Sequence, residues 1–144
     1  MMNKIALAES DKDILSCFSV MAELRPHLVE KDFLSRIKRQ QATDKYKLTF
    51  LESENEIKAV AGFRTGECLA WNKFLYVDDL VTKSGERSKG YGQALFDWLV
   101  NYAGENDCHE FHLDSAVHRF AAHRFYLQKR MDIVCHHFGL KLKN

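Results

Sequence analysis

Proline occurs once in these 144 residues, at Pro26, and no stretch is rich in serine, glycine or proline together. That excludes linkers and low-complexity segments, and a single domain over residues 1–144 is expected. No apolar run approaches the roughly 18 residues of a membrane helix. The opening "MMNKIALAES" lacks an apolar stretch of signal-peptide length. No basic run is present and the formal net charge is +1, so nothing draws the chain to nucleic acid or an anionic membrane. The four cysteines (Cys17, Cys68, Cys108 and Cys135) form no CxxC pair. With no export signal they read as reduced thiols in a cytoplasmic protein.

What is present is a chain of ordinary globular composition whose hydrophobic period changes along its length. "KIALAE" (Lys4 to Glu9) is a short strand. Asp11 caps a helix with Ile14, Leu15, Phe18, Met21 and Ala22 on one face, and Pro26 breaks it. "EKDFLSRIKRQ" is a second amphipathic helix. From Tyr46 the pattern alternates: "YKLTFLES", a turn at Glu54 to Glu56, and "IKAVAGFRT" form an antiparallel hairpin, with "KFLYVDDLVT" a further strand. A helix over 93–103 stops at Gly104. "EFHLDSAV" is a strand, "RFAAHRFYLQKR" a helix, and "MDIVCHHFGLKL" the last strand or strands. The order β-α-α-β-β-β-α-β-α-β defines an α/β (α+β) fold with a mixed central sheet.

"GERSKGYGQALFDWLV" places Arg87, Lys89, Gly90 and Gly92 directly before a helix. Glycines there let backbone N–H groups approach a ligand. The first turn of the helix has unpaired N–H groups and a partial positive charge, which suits phosphate. No Walker or GxGxxG pattern is formed. Taken alone, the stretch is either a phosphate loop or a plain turn with solvated charges.

Arg87-Ser88-Lys89-Gly90-Tyr91-Gly92 resembles the pyrophosphate loop, Arg/Gln-x-x-Gly-x-Gly/Ala, of GCN5-related N-acetyltransferases (GNATs). The preceding "YVDDLVT" and the later "A-x-x-F-Y" at Ala122, Phe125 and Tyr126 resemble two further family segments, in the family order. Ser88 stands where many members carry glycine, and Arg130-Met131 where Gly-Phe often follows the helix. The resemblance implies a mostly antiparallel sheet flanked by helices. It implies acetyl-CoA as co-substrate, held by Arg87, Ser88, Lys89, Gly90, Tyr91, Gly92 and Gln93, with Leu80, Val81 and Thr82 pairing with the pantetheine arm.

The chemistry so implied is acetyl transfer to a primary amine by direct attack. An alkylammonium with a pKa of about 10.4 is neutral in only about one molecule in 2,500 at pH 7, a deficit of about 4.6 kcal/mol. A nearby carboxylate lowers that cost. Asp78 and Asp79 sit together in an otherwise apolar strand, and alternation sends them to opposite faces. By resemblance Asp78 is the base, with Asp79 close behind, and Tyr126 is the acid that protonates the CoA thiolate. From spacing alone Tyr126 is a core residue; for the aspartates a solvated strand end is the other reading, although strands disfavour Asp without a reason.

In the implied fold "LRPHL" covers the acceptor, which brings in Arg25 and His27; a plain helix connector is the other reading. Trp71 and Phe63 read as core. The histidines of the last third (His109, His112, His118, His123, His136 and His137) have no ligand spacing, so no metal is expected. The expected partner is a small-molecule amine, with no nucleic acid and no membrane, and a homodimer is the commonest default assembly. The alternatives are a non-catalytic acyl-CoA-binding sensor on the same fold and a protein-directed acetyltransferase.

Overall fold

The computed structural model describes residues 3–144. The elements run β1 (Lys4–Leu7), α1 (Asp11–Ser16), α2 (Phe18–Leu24), α3 (Glu30–Asp44), β2 (Tyr46–Ser53), β3 (Glu56–Cys68), β4 (Asn72–Thr82), α4 (Tyr91–Glu105), β5 (Glu110–Leu113) and α5 (Phe120–Gln128). The strands form one sheet in the order β1-β2-β3-β4-β5, and the first three pairings are antiparallel. This is the expected class: an α/β fold with a mostly antiparallel sheet flanked by helices. Among the described residues no helix is long and apolar enough to cross a membrane.

The chain divides into two compact units, Met1–His112 and Leu113–Asn144. In the first unit the hairpin turns on Glu54 and Asn55, both at positive φ (57° and 62°). Two left-handed residues in a two-residue loop match the twist of the flanking strands, and Ser53 accordingly faces Glu56.

Alternation gives the β2–β4 sheet two apolar faces. On one, Leu48, Phe50 and Val60 pack with Ile14, Val20, Met21, Phe33 and Ile37 of the three N-terminal helices. On the other, Phe63 meets the rings of Trp98 and Tyr102 from α4 at 6.4 and 5.1 Å. Leu95 and Leu99 of α4 are completely buried, each contributing about 1.5–3 kcal/mol by removal from water.

Several boundaries differ from the sequence expectations. The first helix is two, because the Cys17 N–H reaches Ile14 O three residues back and tightens the turn. Gly104 lies inside α4, and the chain reverses later, where Asp107 takes φ 60°. The second unit contains the end of β5 and then α5. Its residues 131–142 form no strand, although Phe138, Leu140 and Leu142 alternate. A strand requires a ladder partner, and this segment pairs with none of the described strands.

Candidate active site

The acidic pair sits at an irregularity in β4. Val77 faces Phe63 and Asp79 faces the next β3 residue, Gly62, so Asp78 is an extra residue, a β-bulge. The bulge overrides the alternation expected from sequence. Both carboxylates are held by groups on one face of the sheet, that of the paired residues Tyr46 and Arg64.

Each carboxylate has its own partners. Arg64 donates to Asp78 through Nε and Nη2 at 2.8 and 2.9 Å, a bidentate pair. Those hydrogen bonds push the guanidinium's pKa up. Asp79 accepts from Arg25 Nε and from the Tyr46 hydroxyl, both at 2.9 Å. Arg25 also donates Nη2 to the Asp78 carbonyl. Burial, and then the Asp79 carboxylate, raise the Tyr46 phenol well above its ordinary pKa, so it remains a donor. An ionised carboxylate has about four lone-pair sites, so each aspartate retains room for another donor.

Beyond the bulge, Leu80, Val81 and Thr82 pair on one side with Ala61, Val60 and Ala59. On the other side, β5 is four residues long against eleven in β4, and it begins where the His109 N–H donates to Lys73 O at 2.7 Å. The outer edge of residues 78–82 therefore lies beyond β5. Such an edge presents backbone N–H and C=O groups to a ligand.

The glycine stretch follows directly. Gly85, Ser88 and Gly90 take φ of 84°, 71° and 85°. Gly90 is the N-cap of α4, and no side chain caps that helix. A Cβ on Gly90 would meet nothing within 4 Å, so the space beside the helix terminus is open. One on Gly92 would lie 3.0 Å from Thr82 Oγ1, which shows how closely the helix start approaches the end of β4. Arg87 and Gln93 are exposed, whereas Tyr91 is buried. Lys89 Nζ lies 2.6 Å from Glu86 Oε2, whose other oxygen is 3.0 Å from Lys58 Nζ. The hydrogen bonds from Lys89 and Lys58 lower the Glu86 pKa to about 2. An uncapped helix start, an open space and exposed cations fit a diphosphate.

Of the other expected site residues, Arg25 reaches the acidic pair, whereas His27 is exposed in the connection to α3. Tyr126 lies on α5 of the second unit, against Phe125. Burial raises its phenol pKa, with Arg119 opposing, so the hydroxyl keeps its proton at neutral pH. Phe63 is core, as expected, and Trp71 stacks on His112 with ring centroids 3.5 Å apart. Among the described residues no three His, Cys, Asp or Glu side chains converge on a metal position.

Sequence reasoning missed Tyr46, Arg64, Lys58 and Glu86. The one available signal was Gly62, a glycine inside a strand, which often marks a close approach.

The Acetyltransferase (GNAT) family matches residues 12–132. The chain is 31% identical over 120 residues to an uncharacterized N-acetyltransferase, YhdJ, of Bacillus subtilis (strain 168), covering 83% of this chain and 84% of that one. A transcriptional regulator from Bacillus halodurans C-125 shares the fold with a TM-score of 0.82 at 22% identity, over 99% of this chain and all of the other. Glucosamine-6-phosphate N-acetyltransferase from Arabidopsis thaliana does so with a TM-score of 0.78 at 19% identity, over 99% and 100%. The family match spans the bulged strand, the loop and α5, and the chain belongs to the GNAT family of acetyltransferases.

Proposed function

We propose that this N-acetyltransferase moves an acetyl group from acetyl-CoA to a primary amine of a small molecule by direct attack. The observation that carries the reading is the junction of β4 and α4: the part of β4 that extends past β5 runs into an uncapped helix start flanked by Arg87 and Lys89. Acetyl-CoA supplies the activated acetyl thioester. The backbone of Gly90 to Gln93, with Arg87 and Lys89, holds the diphosphate, and Leu80 to Thr82 pair with the amides of the arm. Asp78 or Asp79, directly or through water, accepts the proton that the amine must lose. Asp78 is the more exposed of the two, with 25% of its side chain accessible against 14% for Asp79. Arg25, Arg64 and Tyr46 fix the orientation of both. Tyr126 holds a proton on Oη for the departing thiolate.

The test is CoA release from acetyl-CoA with a panel of amines, comparing wild type with Tyr126→Phe. Amine-dependent release that falls about 10²–10⁴-fold in the variant is expected. The second reading is a non-catalytic acyl-CoA-binding or sensor protein on the same fold. Tight CoA binding without turnover on any amine selects that reading.

A further inference from the structure

Lys58 is a buried lysine at a register shift in β3, the one residue between the paired Ile57 and Ala59 that faces no partner in β2. Only 3% of its side chain is accessible. Burying an ammonium is costly unless carboxylates surround it, and an apolar side chain of similar size serves stability at least as well. Here three carboxylates approach Nζ: Glu86 at 3.0 Å, Glu56 at 3.7 Å and Glu54 at 4.0 Å.

Residue 58 holds the start of the loop twice. Its carbonyl accepts from the Lys83 N–H at 2.8 Å, and its ammonium holds Glu86. Between these points the chain turns on itself, the Glu86 N–H reaching Lys83 O and the Ser84 N–H reaching the Glu23 carboxylate. Glu86 immediately precedes Arg87, and its second oxygen holds Lys89. One carboxylate thus joins a buried, fixed cation to a cation of the loop.

We propose that Lys58 is a positioning residue for the diphosphate loop, acting through Glu86 on Lys89 without touching the ligand. The proposal rests on the reading of residues 87–93 as the diphosphate site. Lys58 does two things there. It fixes Glu86 in space, and with it the place from which Lys89 reaches out. It also shares the charge of Glu86, so that Lys89 is left with net positive charge for an anion. Without Lys58, Glu86 would draw on Lys89 alone.

The experiment compares two ligands that differ in the diphosphate. Binding of CoA by calorimetry, and of pantetheine by NMR titration, is measured for wild type, Lys58→Met, Lys58→Arg, Glu86→Gln and Lys58→Met/Glu86→Gln, with thermal midpoints recorded for each. Lys58→Met is expected to weaken CoA about tenfold, the scale of one lost charge-assisted contact, and to leave pantetheine unchanged. Lys58→Arg restores most of the loss. In the Glu86→Gln background Lys58→Met changes nothing further, as a path through Glu86 requires. A general loss of structure would weaken both ligands alike, and that result overturns the proposal. So does unchanged CoA affinity in Lys58→Met, or an equal loss in the Glu86→Gln background. If Lys58→Met does not fold, Glu86→Gln carries the test: CoA weakened with pantetheine unchanged supports the proposal, since the lost placement of Lys89 then outweighs its freed charge, and wild-type or tighter CoA affinity overturns it. Wild type that fails to bind CoA overturns the loop reading itself, and the two failures are thereby told apart.

Discussion

The Tyr46 hydroxyl occupies the space that a side chain on Gly62 would need: a Cβ there would lie 1.7 Å from the oxygen and 2.3 Å from Cζ. It would also lie 2.7 Å from Asp79 Oδ2, the acceptor of the Tyr46 hydrogen bond. Gly62→Ala is therefore expected to displace both partners. Overpacking and a lost hydrogen bond to a charged group together predict a destabilisation of about 2–4 kcal/mol in urea unfolding. Adding Tyr46→Phe recovers only part of it, since the ring carbon is still in the way. Full recovery would show that the hydroxyl alone sets the clash.

Cys17 is completely buried among Ile14, Val20 and Met21. Burial first, and Asp13 second, raise its thiol from 9.0 to about 12. The folded state thus holds this proton more firmly than the unfolded chain does. The stabilisation is complete below pH 9 and is lost as pH rises from 9 toward 12. At pH 8 a thiol reagent should modify exposed Cys68 and Cys135 rapidly and Cys17 only after denaturation. Rapid native-state labelling of Cys17 would contradict its burial.

Arg130 ends α5 at φ 67°, with the Arg130 N–H bonded to Leu127 O and the Met131 N–H to Tyr126 O. This is the left-handed helix stop that glycine favours. Arg130→Gly should raise stability by about 0.5–1 kcal/mol, read as a shift in urea midpoint. A fall would mean that the arginine side chain contributes more than the backbone strain costs.

The elements that depend on local pattern were legible in the sequence. The Tyr46–Ser53 and Glu56–Cys68 hairpin follows from alternation around Asn55, and the loop before α4 from its glycines. What escaped depends on residues far apart in the chain. A bulge at Asp78 is defined only by its register with β3, and the partners of the acidic pair come from 14 to 54 positions away. Lys58 reads locally as an outward-facing strand residue, and only the returning loop makes it interior. The final alternating stretch shows the converse, since pattern alone forms no strand without an edge to join.

Because Asp78 is inserted between two correctly paired neighbours, the parity of β4 is the same with or without it. Val77 shares the Phe63 face and Asp79 the Gly62 face, as consecutive residues of a regular strand would. Asp78 is thus a spare position in the architecture. Excising it would close the ladder without turning any side chain of β4 inside out, and would leave Arg64 without its carboxylate. The sheet can dispense with this residue, and its reason for being there is to be sought in chemistry.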